Sequence, residues 1–173
     1  PCELPCPTFA DAENEPPLAD GYVDLHNGGC NTDPEGGPFQ PAFPIALCGT
    51  SGWYTAADGS ASRDTDWFEA TIPGDGRLGI IADAEQPSHL LHLGPTDCDQ
   101  VDVLQVVEVG PCAEATLFME GEPGQTVWFW FGPQSFTPPS GFQGHEYDYL
   151  LIVWPAPTAT RTSTFSEVKA LFR

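Results

Sequence analysis

Short apolar runs separated by turn residues fill most of the chain. Glycine, proline, aspartate and asparagine stand in nearly every gap between these runs. The runs are rich in aromatic and β-branched residues, which favour strands. They span residues 21–26, 43–48, 52–56, 65–72, 77–84, 89–93, 101–109, 115–120, 125–132 and 146–154. Many short strands joined by tight turns predict an all-β fold, a single antiparallel β-sandwich resembling a jelly roll.

The two ends of the chain lack this pattern. Residues 1–19 are proline-rich and acidic, and we expect an extended arm there. Residues 20–154 would form the sandwich domain, since 173 residues suffice for one domain with a sizeable core. Residues 155–173 read as a Thr/Pro linker followed by a short amphipathic tail. If the tail is helical, its apolar face consists of Phe165, Val168, Leu171 and Phe172.

The charge balance excludes several classes of partner. The chain has 25 acidic and 5 basic residues, a formal charge of -20. Binding to nucleic acid depends on Lys and Arg, so we expect no nucleic-acid partner. No apolar run approaches the length of a membrane span. Divalent cations and basic partners suit such a surface.

The cysteines indicate an exported protein. Their number, six, is even, and no spacing among them suggests zinc. Pairing in chain order predicts the disulfides Cys2–Cys6, Cys30–Cys48 and Cys98–Cys112. A chain that begins with Pro1 fits a processed secreted protein, so the expected location is extracellular or at the cell surface.

The segment RDTDWFEATI (63–72) poses a problem of charge. Asp64 and Asp66 are two residues apart at the entry of a predicted strand, so their side chains share one side and repel each other. A metal ion, the neighbouring Arg63 or solvent can make this tolerable. A calcium site needs several oxygen ligands, and further oxygen-rich segments could complete one. These are the segment 13–15 with Glu13 and Glu15, then Asp24, and the turn 27–33. The alternative is a solvated strand entry whose aspartates bond to nearby backbone.

The sequence contains little that indicates a catalytic site. The sequence Gly49-Thr50-Ser51-Gly52 is not a nucleophile elbow, and a glycine-rich turn between strands explains it better. The pair His145-Glu146 lacks the second histidine of a zinc-protease helix. We therefore expect a protein that is not an enzyme.

The strand 125–132 is apolar on both faces. A two-layer sandwich covers only one of them, so Trp128 and Trp130 require a second cover. We expect an interface with the N-terminal arm, the C-terminal tail or another subunit. A platform on which sugars stack is the alternative use of these tryptophans.

Three motifs carry a resemblance to known proteins: GYVDLHNGGCNTDP (21–34), LCGTSGWY (47–54) and RDTDWFEATI (63–72). They resemble a group of secreted bacterial proteins of unassigned function and, more distantly, the bacterial pre-peptidase C-terminal domain. The second resemblance spans residues 13–154 and implies a calcium-stabilised β-sandwich attached to secreted proteases and collagenases. It implies that the metal is held by an ExE segment and by an aspartate of a DxDxY/F motif. The matching positions here are Glu13, Glu15, Asp64 and Asp66, with Phe68 at the aromatic place.

No catalytic domain accompanies the predicted sandwich. The sequence therefore predicts a calcium-stabilised structural subunit that forms a homo-oligomer or helical polymer through its terminal arms. The tail concentrates Arg161, Lys169 and Arg173 in an otherwise acidic chain, which suits attraction to an acidic neighbour. The alternative function is an accessory binding module for polysaccharide or protein.

Overall fold

The computed structural model describes residues 2–32, 37–42 and 45–157. These residues form eleven strands and a single-turn 3-10 helix, η1 (Gly29–Asn31). The strands are β1 (Asp11–Ala12), β2 (Gln40–Pro41), β3 (Ile45–Thr55), β4 (Ala61–Arg63), β5 (Asp66–Thr71), β6 (Arg77–Ala84), β7 (Ser88–Gly94), β8 (Asp102–Val109), β9 (Ala115–Glu120), β10 (Thr126–Pro133) and β11 (Glu146–Pro155). Across the described ranges, no helix has the length and apolar character to cross a membrane.

Two sheets pack face to face. The first has the order β1-β3-β11-β6-β9, with β4 paired to β3, and the second has the order β2-β5-β10-β7-β8. The eight longest strands form four antiparallel pairs: β3 with β11, β5 with β10, β6 with β9, and β7 with β8. Counted along the chain among these eight, the first strand pairs with the eighth, the second with the seventh, the third with the sixth and the fourth with the fifth. This nested antiparallel pairing is that of a jelly roll, so the predicted fold class is confirmed. The sheets are nevertheless mixed, because the two-residue strands β1 and β2 lie parallel to β3 and β5.

The core between the sheets is built from the inward-facing residues of each strand. Phe68, Phe129 and Phe131 are fully buried there. The rings of Phe68 and Phe129 stack with their centroids 4.8 Å apart across the β5–β10 pair. Each such side chain contributes about 1.5–3 kcal/mol through burial. This part of the fold follows from the alternation of apolar residues alone.

The N-terminal arm covers the outer face of the first sheet. Leu4, Phe9 and Ala10 pack against a second apolar cluster that includes Ile152 and Trp154. The arm therefore lies on its own sandwich, which removes the reason for assigning it to a neighbouring copy. The C-terminal residues predicted at an interface, Phe165, Val168, Leu171 and Phe172, lie outside the described residues.

The predicted disulfide pairing is wrong. The bridges are Cys2–Cys112, Cys6–Cys48 and Cys30–Cys98, which close sequence separations of 110, 42 and 68 residues. Pairing in chain order assumes local loops. The arm instead runs across the first sheet, so its two cysteines meet residues that are distant in sequence. Three disulfides are typical of proteins from an oxidising compartment.

Two strand predictions also fail. Residues 21–26 form a turn, because the Asp24 carboxylate accepts hydrogen bonds from the backbone N–H groups of His26 (2.9 Å) and Asn27 (3.2 Å). The segments predicted as two strands around the GTSG sequence join into the single strand β3. The glycines that read as a turn lie inside this strand.

Candidate metal centre

Five carboxylates from three separate segments of the chain form one cluster. These segments are the residues after β1, the turn 24–27, and the entry and first residue of β5, and the carboxylates are Glu13, Glu15, Asp24, Asp64 and Asp66. One oxygen each from Glu13, Glu15 and Asp66 lie within 4.8 Å of one another, and the same holds for Glu15, Asp24 and Asp64. The structure thus brings together all five residues that the sequence analysis selected as metal ligands. We call them the acidic cluster.

Gly49 makes room for the first of these carboxylates. The backbone N–H of Glu13 donates to the Cys48 carbonyl oxygen at 2.8 Å, which seats the arm against β3. A Cβ atom on Gly49 would lie 2.1 Å from Glu13 Oε2. Any larger residue at this position would therefore collide with the side chain of Glu13. This close approach explains the glycine inside a strand.

The turn 24–29 is fixed to β5 from the other side. The backbone N–H of Trp67 donates a hydrogen bond to the backbone carbonyl oxygen of Asn27 at 2.8 Å. Gly29 has φ +50, and a Cβ atom there would lie 2.2 Å from the Trp67 ring. Only glycine combines this backbone conformation with this contact. The sequence Asn27-Gly28-Gly29 thus allows the turn to pack against β5, which places Asp24 and Asn27 beside the other carboxylates.

Neither solvent nor arginine compensates the negative charge of the three most buried members. Asp66, Asp64 and Glu13 are only 0, 1 and 7% exposed. Arg63 points away, with its guanidinium 4.9 Å from the centre of the Trp130 ring and a hydrogen bond to the Pro133 carbonyl oxygen. Of the three alternatives open from the sequence, neutralisation by Arg63 is therefore not the one that the structure shows. Arg77, the other arginine of the described ranges, pairs with Glu120 at 3.7 Å.

Uncharged side chains donate hydrogen bonds to some of the carboxylate oxygens of the cluster. The Asn27 side-chain amide donates from Nδ2 to Glu13 Oε1 (2.7 Å) and to Asp66 Oδ1 (2.8 Å). The Tyr149 hydroxyl donates to Glu13 Oε2 at 2.8 Å, and the Tyr22 hydroxyl donates to Glu15. These contacts hold the side chains in place but bring no positive charge.

Five buried oxygens, four of the acidic cluster and one of the neighbouring Asn27, receive no hydrogen bond within the described part of the chain. They are Glu15 Oε2, Asp24 Oδ2, Asn27 Oδ1, Asp64 Oδ2 and Asp66 Oδ2. Buried polar atoms in folded proteins are nearly always paired, because an unpaired one costs about 1–3 kcal/mol and a charged one more. Five such oxygens in one place form a site that could hold a metal ion.

Burial also disturbs the acid–base chemistry of the cluster. It raises the pKa of Glu13 to about 8 and that of Glu15 to about 7, and neighbouring carboxylates add to both increases. Burial likewise raises the pKa of Asp64 and Asp66 well above the usual range, with repulsion from the other acids as the next cause. Without a cation, part of the cluster therefore holds protons at neutral pH.

The donor set fits a hard divalent cation. Every available ligand atom is an oxygen of a carboxylate or amide, and the cluster contains no His or Cys side chain. Such ligands suit Ca²⁺ or Mg²⁺ rather than zinc or copper.

The sequence analysis did not identify Tyr22 and Tyr149 as residues that donate hydrogen bonds to the cluster. Tyr149 lies 136 residues from Glu13 and reaches it only through the pairing of β11 with β3.

The tryptophans predicted at an interface are covered by their own chain. Trp128 and Trp130, on the outer face of the second sheet, are 6 and 3% exposed. Phe39 stacks on Trp128 with ring centroids 4.3 Å apart, and Cys30 packs against the same cluster. Within the described part of the chain, η1 and Phe39 thus lie over this face of the second sheet. Buried indole faces also cannot serve as a platform for sugars.

A cleft of about 620 Å³ lies beside the acidic cluster on the second sheet. One side is the turn 22–24, which contains the cluster residue Asp24. The residues 101–103 at the start of β8 also line it. Further lining residues are Tyr54, Arg63, Trp67, Leu91, Leu93, Trp130 and Phe136. We call this feature the sheet-edge cleft.

Comparisons with known proteins identify no family. No protein-family model matches the sequence. No curated protein matches it either. Among solved structures, part of the chain is similar to the crystal structure of tripeptidyl peptidase 2, with a TM-score of 0.34 and 12% sequence identity. The match covers 54% of this chain and 8% of the peptidase chain.

Proposed function

We propose that this protein is a non-catalytic extracellular β-sandwich module that binds calcium in the acidic cluster and acts as a structural subunit. The observation that carries the proposal is the set of five buried oxygens without hydrogen-bond donors. A divalent cation would coordinate these oxygens and turn the repulsion between the carboxylates into attraction.

Calcium suits the cluster better than magnesium. Calcium accepts six to eight oxygen ligands in flexible geometry, whereas magnesium requires a near-ideal octahedron and retains several waters. Five carboxylates and an amide, four of these six side chains with under a tenth of their surface exposed, supply more oxygens than an octahedral magnesium ion with retained waters would use. At a calcium concentration 100 times the Kd, binding would stabilise the fold by about 2.7 kcal/mol.

The structural role is supported by how the cluster is enclosed. A catalytic metal needs an open coordination position for water or substrate. Asp64 and Asp66 are sealed from solvent, and the cluster ties the arm, the turn 24–27 and β5 together. A cation there would connect three segments of the chain. The three disulfides support an extracellular location.

An accessory binding module is the second candidate function. The sheet-edge cleft favours it, because a concave apolar site with a few polar groups is the usual form of a binding site. Protein is a better candidate ligand than polysaccharide, since the two tryptophans that could stack on sugars are buried.

Thermal unfolding of the chelator-treated protein tests the calcium proposal. We expect the melting temperature to rise on addition of calcium and to rise less with magnesium. The Asp64→Asn variant should lose most of this increase. The exposed Asp75→Asn variant carries the same charge change outside the cluster and should respond as the wild type does. Equal melting curves with chelator and with calcium would refute the proposal.

A further inference from the structure

Strand β8 leaves an apolar edge on the second sheet. It stands last in the order of that sheet, so the described residues place no strand on its outer side. Val103, Leu104 and Val106 are 46, 61 and 52% exposed, which is unusual for three valine and leucine residues in one strand. A long apolar edge presents unpaired backbone groups and attracts a further strand.

The sheet-edge cleft adjoins this edge. Val103 belongs to both features, and Phe136, which also lines the cleft, is 59% exposed. Aliphatic side chains beside free backbone donors and acceptors suit an extended peptide rather than a sugar. The peptide would pair with β8 and place alternate apolar side chains on the outer face of the sheet.

Charge limits which peptide can bind. Asp102 and Glu108 stand at the two ends of β8, and Asp24 lies across the cleft. If two copies paired antiparallel through β8 itself, Asp102 of one copy would meet Glu108 of the other, which is unfavourable. The cleft does contain Arg63, but its guanidinium already lies over the Trp130 and Phe136 rings and bonds to the Pro133 carbonyl oxygen. An apolar peptide with basic residues fits this surface.

One segment of this chain has that chemistry. Residues 158–173 carry Arg161, Lys169 and Arg173 against one acid, Glu167, a net charge of +2, while the remainder of the chain carries -22 (-20 minus +2). In an extended conformation, Val168 and Phe172 would point to the same side. Building on the proposed structural role, we propose that the sheet-edge cleft and the β8 edge bind residues 158–173 of a second copy of this chain.

The acidic cluster would control this contact. The cleft side formed by residues 22–24 is attached to the cluster twice, through the Tyr22 hydroxyl on Glu15 and through Asp24 itself. A cation that fixes Asp24 therefore also fixes one side of the cleft. Assembly through the cleft should accordingly weaken at least about tenfold when the cation is removed, a change of about 1.4 kcal/mol.

A complementation experiment with the full chain tests the contact. Val103→Lys removes an apolar side chain from the cleft and repels a basic peptide, whereas Phe172→Asp damages the tail and leaves the cleft intact. In calcium, sedimentation velocity should show wild-type assemblies that grow with concentration. Each variant alone should have a Kd for assembly raised about tenfold or more. An equal mixture should form heterodimers, because one intact tail meets one intact cleft.

The control is Thr116→Lys, which adds the same charge to an exposed position on β9, the free edge of the other sheet. It should assemble as the wild type does. A wild type that is monomeric at every concentration, or a mixture that stays monomeric, would overturn the inference. Calcium-dependent melting in the same samples separates the two proposals: a retained calcium response with no assembly refutes only the contact, whereas no response in any sample refutes the proposed function.

Discussion

The inner core and the two aspartates Asp64 and Asp66 of the acidic cluster are both buried, yet their surroundings differ. Phe68 and Phe129 satisfy each other by stacking between the sheets, and nothing outside the chain is needed. Asp64 and Asp66 are as deeply buried, but each retains an oxygen that no donor reaches. The core is therefore completed by the chain itself, whereas the cation that we propose for the cluster would make the stability of the fold depend on the composition of the solution.

The largest effect should come from the core. Phe129→Ala should lower the free energy of unfolding by about 3–5 kcal/mol, through lost burial and the cavity left behind. Urea denaturation in calcium and in chelator should give the same loss, since the substitution does not touch the cluster. A loss that disappeared in chelator would show that core and cluster are not independent.

The next effect concerns the cover of the second sheet. Replacing Cys30 and Cys98 together by Ser removes the bridge that ties η1 to the segment before β8. We expect a loss of about 2–4 kcal/mol, mainly because the unfolded chain gains freedom. Tryptophan fluorescence should also shift towards that of solvated indole as Trp67 and Trp128 lose their cover. An unchanged emission spectrum would mean that packing alone holds the loop.

Asp66→Asn separates charge from packing in the cluster. In calcium at 100 times the Kd, the variant should lose about 2.7 kcal/mol of stabilisation. In chelator it should be as stable as the wild type or more so, because the amide has the shape of the protonated acid and removes a buried charge. Denaturation curves in both solutions measure the two effects. Destabilisation of equal size in both solutions would indicate a packing defect instead.

A separate effect should appear in the pH profile. The folded-state pKa values of Glu13 (about 8) and Glu15 (about 7) lie above their ordinary value of 4.5. Between pH 4.5 and 8 the folded protein without cation therefore binds more protons than the unfolded chain, so its stability falls as the pH rises. Calcium should reduce this fall, because coordination favours the ionised forms. A melting temperature in chelator that stays constant over this range would contradict the raised pKa values.

Sequence patterns predict the fold class and the residues of the acidic cluster, but not every strand or every contact. Nine of the ten segments predicted as strands overlap eight of the eleven strands, since two of them belong to β3. Short apolar runs rich in aromatic and β-branched residues favour strands wherever a core covers them. The same pattern misassigns residues 21–26, where Val23 and Leu25 are exposed beside Asp24, whose carboxylate organises a turn. Local hydrogen bonding prevails there over the apolar pattern.

Contacts between distant segments could not be predicted. The disulfides depend on where the arm lies on the first sheet, which no local spacing encodes. The hydrogen bond from Tyr149 to Glu13 depends likewise on the pairing of the last strand with β3. Carboxylates, in contrast, could be selected as ligands from the RDTDW and ExE sequences, because like charges placed close together require a compensating partner.

Calorimetric titration of calcium into chelator-stripped, desalted protein at neutral pH tests the central claim most directly. The account predicts saturable binding with release of protons, since Glu13 and Glu15 are partly protonated before the cation enters. Repeating the titration in buffers of different ionisation enthalpy measures the protons released. Saturable binding with proton release in the wild type, and its loss in Asp64→Asn, would support the account. No saturable heat in any buffer, with no metal bound after dialysis, would contradict it.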